Sequence, residues 1–252
     1  MEFYKYQGTG NDFVMVDNRT LTFNKDTEYI EQLCNRRFGI GADGLILLEN
    51  DDSTDFKMVY YNSDGRESTM CGNGGRCLVA FAHFLKVFDS KCTFNAIDGL
   101  HEAEINDGIV KLKMIDVDII QNDGDDKVLN TGSPHYVKMV NDIENFDVYK
   151  NGYAIRNSEN YIKEGINVNF VEQLNDDTLF VRTYERGVED ETLSCGTGVT
   201  ASALSFIQNK ELDPVNIKVL GGQLKVYAEK KDGHFTNVWL EGPAKQVFKG
   251  EL

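Results

Sequence analysis

The sequence predicts an α+β protein of two pseudo-symmetric lobes, each a mostly antiparallel sheet or barrel wrapped around a central helix. Three observations carry this expectation. A Cys-Gly-x-Gly box followed by an apolar stretch occurs twice, at Cys71-Gly-Asn-Gly74 and at Cys195-Gly-Thr-Gly198. Short runs of β-branched and aromatic residues, bounded by Gly, Asn and Asp, make up much of the remainder. Landmarks around the two boxes recur in the same order, the mark of an internal duplication.

The elements follow in chain order. Phe3 to Asp17, broken by Gly8, Gly10 and Asn11, reads as strand, turn, strand, and Asp26 to Arg37 reads as a helix. Cys77 to Leu85 is an apolar helix with little polar face, and Val199 to Ile207 is its counterpart, built from small and apolar residues. A helix apolar all round belongs inside a lobe. The boxes lie 124 residues apart (195 − 71), and the same offset pairs Met15-Val16 with Met139-Val140. Tyr61 and Tyr184 precede their cysteines by 10 and 11 residues, and Gly99 aligns with Gly222 at an offset of 123. The expected lobes are therefore residues 1–117, carrying Cys71, and 118–252, carrying Cys195. The turn formers Gln121 to Asp126 stand close to the seam.

Composition narrows the function. With 41% hydrophobic and 27% charged residues, the 252-residue chain has enough apolar mass for a packed core. Its 26 basic residues against 41 acidic ones give a net charge of −15, which repels nucleic-acid phosphates and anionic membranes. Neither partner is expected. No basic leader opens the chain and no run approaches the ~20 apolar residues that cross a bilayer, so a cytoplasmic location is expected. Five cysteines, an odd number spread widely, predict thiols rather than a disulfide framework.

Cys34, Cys77 and Cys92 read as small, inert hydrophobes. Cys71 and Cys195 differ, because each stands just before glycines that open a helix. Unpaired N–H groups and the positive end of the helix dipole favour an anion there, so each thiol pKa should fall from its ordinary ~8.5 toward neutrality. The N–H groups of Gly72, Asn73, Gly196 and Thr197 form two nests suited to a substrate carboxylate. Removing an α-proton pushes charge into that carboxylate, where donors already in place lower the barrier. Inverting a stereocentre needs a base on one face and an acid on the other, and a duplicated chain supplies two equivalent groups, here expected at a cleft between the lobes. The pair should titrate as a coupled unit. A redox role is the alternative from another class, but redox cysteines usually come as Cys-x-x-Cys. No third or fourth Cys or His has spacing suited to a metal.

Five segments, Gly8-Thr-Gly-Asn-Asp-Phe13, Asn62-Ser-Asp-Gly65, Met70-Cys-Gly-Asn-Gly-Gly-Arg76, Tyr184-Glu-Arg-Gly187 and Cys195-Gly-Thr-Gly198, closely resemble those of the diaminopimelate epimerases, almost end to end. The resemblance implies interconversion of LL- and meso-2,6-diaminopimelate for lysine and peptidoglycan precursors, without metal or pyridoxal phosphate, by a homodimer. It implies Cys71 and Cys195 as acid and base, with Gly72, Asn73, Gly196 and Thr197 holding the reacting carboxylate. It also implies that Asn11, Asn62 and Asn167 orient the substrate, that Glu185 and Arg186 bind it, and that His135 and Glu185 tune a cysteine pKa. The roles suit a substrate with two ammonium and two carboxylate groups: Glu185 can receive an ammonium and Arg186 can grip a carboxylate with two N–H groups.

Two positions depart from the family pattern. Ser133 stands where the family usually has Asn, and Gly44 where a glutamine is frequent, so reach toward the distal end of the substrate is reduced. The nearest rival is a related two-base enzyme such as a proline racemase. Tyr184-Glu-Arg-Gly187 and the asparagines argue against it, because a proline ring has no far ammonium or carboxylate to bind.

Overall fold

The computed structural model describes residues 1–208, 210 and 213–252. Contacts divide the chain into two compact units, Met1–Leu112 with Gly242–Leu252, and Lys113–Glu241.

The first unit opens on a hairpin of β1 (Glu2–Gly8) and β2 (Asn11–Asp17). Its two-residue turn, Thr9-Gly10, has φ of 49° and 88°, the left-handed turn that matches strand twist. Phe13 and Met15 point to one face and Val14 and Val16 to the other, and all four are buried. Both faces of this sheet are therefore covered, which is why its strands read as apolar runs rather than as alternation. Val14 and Val16 pack with Ile30, Leu33 and Cys34 of α1 (Thr27–Cys34) and with Leu45 and Leu47 of β3 (Gly44–Glu49). α1 is shorter than the expected 26–37, because the Asn35 side chain accepts the N–H groups of Arg37 and Phe38 and turns the chain.

β3 lies parallel to β2, and β4 (Phe56–Asn62) runs antiparallel to β3, with β5 (Glu67–Ser68) on its other edge. Then comes α2 (Gly72–Phe84), buried from Gly72 to Ala82 against β1, β2, β3 and a later strand, with His83 and Phe84 exposed. β6 (Lys91–Ala96) pairs parallel to β4 and continues antiparallel into β7 (Gly99–Asn106) and β8 (Ile109–Lys113).

The second unit repeats the plan. β9 (Ile120–Asp123), β10 (Asp126–Asn130) and β11 (Pro134–Met139) form successive antiparallel pairs. α3 (Val148–Arg156) contributes Val148 to a cluster with Tyr136, Val168, Phe170, Phe180 and Tyr184 on one sheet face. β12 (Asn167–Gln173) is parallel to β11, and β13 (Thr178–Glu185) is antiparallel to β12 and carries β14 (Asp190–Thr192). α4 (Gly196–Ile207) lies on the opposite face, against β11, β12 and β13. β15 (Val215–Val219) pairs parallel to β13 and leads antiparallel into β16 (Gly222–Lys231) and β17 (His234–Pro243). The last strand, β18 (Lys245–Glu251), belongs to the first unit and pairs antiparallel with β1 from Glu2↔Glu251 to Gln7↔Lys245. It flanks β1 as β9 flanks β10.

The α+β architecture with a buried helix in each half thus matches the expectation, and two details differ. The division by contacts falls at 112/113, not 117/118, and gives residues 242–252 to the first unit, because β18 finds its partner in β1. The 121–126 segment is the β9–β10 hairpin inside the second unit rather than a seam. Strand registers also revise one alignment. β2 enters its parallel ladder at Phe13↔Gly44 and β11 at His135↔Asn167, so Met15 corresponds to Val137 rather than Met139. Among the described residues no helix is long and apolar enough to cross a membrane.

Candidate active site

Each unit sets one cysteine at the N-cap of its central helix. Cys71 (φ −103°, ψ 143°) and Cys195 (φ −115°, ψ 111°) are extended, so helical geometry starts at the glycine that follows. The surroundings are not identical. Cys71 Sγ accepts the N–H of Gly74 at 3.2 Å, whereas Cys195 Sγ lies 3.5 Å from the hydroxyl of Thr197.

In the first unit the amide nitrogen of Asn11 donates to Asp43 Oδ2 at 2.5 Å. Asp43 is held by Arg36 at 2.6 Å, which also reaches Asp12 at 2.7 Å. Burial would raise the Asp12 pKa, but hydrogen bonds from Arg36 and Lys5 outweigh it and hold the carboxyl well below the usual range. With its nitrogen anchored, Asn11 turns Oδ1 toward Asn73 Nδ2 (3.4 Å) and Cys71 Sγ (3.9 Å). Asn73 is fixed in turn by Arg76, whose Nη2 donates to its Oδ1 at 2.9 Å. Arg76 is wholly buried and donates further to Gly72 O and Thr9 Oγ1. Burial pushes its pKa down, while the sulfurs of Cys77 and Cys71 act in the opposite direction.

Asn62 closes β4 opposite Gly44 and is exposed. A Cβ at Gly44 would stand 2.5 Å from Tyr61 O and 2.6 Å from Tyr60 Cε2. Packing of Tyr60 therefore leaves no room for a side chain at position 44.

In the second unit His135 is completely buried, and that burial, reinforced by the charge of Arg186, lowers its pKa to about 3. The ring is neutral. Its Nε2 lies 2.9 Å from both Ser133 Oγ and Thr197 Oγ1, and its Nδ1 is 3.0 Å from Asn169 Nδ2. Asn167 donates to Ser133 Oγ and to Pro134 O, both at 3.2 Å, and accepts the backbone N–H of Arg186 at 2.9 Å. The exposed Arg186 side chain rests on Glu164 O at 2.9 Å, and Glu185 accepts the hydroxyl of Thr192. Ser133 Oγ thus faces the buried histidine.

Hydrogen bonds join Asn11, Asn73 and Cys71 in one unit, and His135, Thr197 and Cys195 in the other, with Asn167 and Arg186 linked through Ser133. Asn62 and Glu185 hold the ends of equivalent strands, β4 and β13. Sequence reasoning missed Asp43, Arg76, Asn169 and Thr183. The signal for Arg76 was its place in the box, one turn after Gly72; Asn169 carried no local signal. Cys34 and Cys92 have pKa values pushed up by burial to about 11 and about 12, and Cys77 is pushed higher still, so all three stay protonated at neutral pH.

A family model described as Diaminopimelate epimerase matches residues 3–118 and 127–247. A diaminopimelate epimerase from Flavobacterium psychrophilum is 56% identical over 253 residues, covering 99% of each chain. One from Chlorobaculum tepidum is 42% identical, covering 97% of this chain and 98% of that one. Among solved structures, a phenazine biosynthesis protein from Bacillus anthracis superposes with a TM-score of 0.77 at 15% identity, over 100% of this chain and 98% of that one. A hydroxyproline epimerase from Agrobacterium vitis gives 0.67 at 13%, over 99% and 91%. At such low identity these two similarities establish the fold alone. By the family match and the extent of identity, the chain belongs to the diaminopimelate epimerase family.

Proposed function

We propose that the protein is an isomerase that converts LL-2,6-diaminopimelate to meso-2,6-diaminopimelate without a cofactor, Cys71 and Cys195 acting as the two proton-transfer groups. The observation that carries this reading is the equivalent placement of the two thiols, each at the N-cap of a buried helix in one of two repeated units. One cysteine, as thiolate, takes the α-proton and becomes a thiol. The electron pair left on carbon spreads into the adjacent carboxylate, which the first-turn N–H groups of Gly72, Asn73, Gly196 and Thr197 stabilise. The other cysteine, as thiol, returns a proton to the opposite face and becomes the thiolate, and the reverse reaction exchanges the roles.

Asn11, Asn62 and Asn167 are assigned to orienting the zwitterion, Glu185 to an ammonium and Arg186 to the distal carboxylate. With Ser133 engaged by His135 and Gly44 closed off by Tyr60, distal recognition falls to Arg186 and Glu185. The physiological setting that fits is the cytoplasm, with a small amino-acid substrate, a place in lysine and peptidoglycan precursor synthesis, and a homodimeric enzyme.

The test is to incubate LL-diaminopimelate with chelator-treated protein in deuterated water, following label at the α-carbon and appearance of the meso form. Label should enter as the meso isomer forms, and Cys71→Ala or Cys195→Ala should each abolish conversion while leaving the circular dichroism spectrum unchanged. Full activity in either single variant would reject the two-thiol assignment.

A further inference from the structure

His135 and Asn169 form a buried polar pair at a place where the first unit has none. The two parallel ladders put Phe13 and Ile46 in the positions of His135 and Asn169. The glycine of each central helix reports the same correspondence. A Cβ on Gly74 would meet Ile46 Cδ1 at 3.0 Å and Phe13 Cζ at 3.4 Å, and one on Gly198 would meet Asn169 Oδ1 at 2.2 Å and His135 Cε1 at 3.3 Å. An apolar pair fills this place well. Burying two polar side chains instead costs free energy unless each hydrogen bond is made, so packing alone does not explain the second unit.

The fixed donors and acceptors around the ring set its tautomer. The carbonyl of Tyr136 can only accept, so the Asn169 atom 3.0 Å from it is the NH2 group, and the same group lies 3.0 Å from His135 Nδ1. Asn169 Oδ1 takes the hydroxyl of Thr183 at 3.0 Å, which confirms the orientation of the amide. His135 Nδ1 is therefore an acceptor, and the single proton of the neutral ring sits on Nε2, facing Thr197 Oγ1 and Ser133 Oγ. Ser133 Oγ already accepts from Asn167. With Nε2 protonated, the Ser133 hydroxyl has Thr197 Oγ1 at 3.2 Å as its acceptor, so Thr197 accepts from Ser133 and His135 and its own proton is available to Cys195 Sγ at 3.5 Å. A thiolate there draws it, since hydrogen bonds to an ion are the stronger kind.

We infer that Asn169 is a positioning residue, supported by Thr183, that fixes His135 as the Nε2–H tautomer and so turns the Thr197 hydroxyl onto Cys195. The inference rests on the reading of Cys195 as a proton-transfer group, and it makes the two thiols chemically unlike. Cys71 is flanked by a backbone N–H and an amide oxygen, while Cys195 is served by a relayed hydroxyl.

The test uses the full-length protein and needs no turnover. Long-range proton–nitrogen NMR on imidazole-labelled protein should show His135 with a bare Nδ1 and a protonated Nε2; a proton on Nδ1 overturns the inference without any variant. Asn169→Asp replaces the donor by an acceptor, drawing the ring proton to Nδ1 and leaving Nε2 to compete for the Thr197 hydroxyl. Alkylation of Cys195 at pH 8, read by mass spectrometry with Cys71 as internal reference, should slow about tenfold in Asn169→Asp and in Thr197→Val. The double variant should be no slower than Thr197→Val alone, because the effect passes through that hydroxyl. An unchanged Cys195 rate in either single variant, or an additive loss in the double, overturns the relay. None of these readouts involves diaminopimelate, so their failure and a failure of the epimerase reading are separate results.

Discussion

Burial that keeps His135 neutral ties the stability of the protein to pH. Its pKa is about 3 in the folded chain against 6.5 ordinarily. Between those values the unfolded chain binds a proton that the folded chain refuses, so stability is complete above about pH 6.5 and declines as pH falls toward 3. At pH 5 the loss from this one group is about 2 kcal/mol. His135→Phe borrows the residue that occupies the same place in the first unit, and its urea-unfolding free energy should fall less between pH 7 and pH 5 than the parent's by about that amount. Equal falls in the two proteins would count against a buried neutral ring. The cysteine boxes were legible in the sequence because an N-cap is local: sulfur, glycines and helix are consecutive. Asn169 was not, since its partner His135 is 34 residues away and only the parallel ladder brings them together.

Strands and helices were legible to the extent that their causes are local. The β1–β2 hairpin announces itself through its turn, and α2 and α4 through unbroken apolar runs. The parallel pairs and the destination of β18 did not, because a strand's partner is chosen by long-range packing that leaves no trace in its own residues. β18 covers the edge of β1, where Phe3 meets Phe248 edge-on with ring centroids 6.1 Å apart. Removing residues 244–252 uncovers that edge, exposes Phe3, and should cost on the order of 3 kcal/mol. Thermal unfolding should show the loss, and a synthetic peptide of residues 242–252 should restore part of it. A truncated protein that melts with the parent would mean that β18 contributes nothing to its sheet.

For the whole molecule, duplication has produced two units with equivalent strand pairing but different chain economy. The second is a single stretch, Lys113–Glu241, and the first is two stretches, Met1–Leu112 and Gly242–Leu252. The fragment 113–241 should fold by itself with a cooperative melt. The fragment 1–112 should do so only when residues 242–252 are joined ahead of Met1 through a flexible linker. Cooperative folding of 1–112 alone would contradict the division.

The pairing of Tyr6 with Gln246 spans 240 residues. A ribosome therefore presents β1 and β2 long before β18, with one edge of β1 waiting while the residues between them are translated, whereas Lys113–Glu241 can close as soon as its own last residue emerges. Of the two units, the one begun first is completed last. During synthesis the exposed margin of β1 is where a chaperone or a second nascent chain would have its longest opportunity.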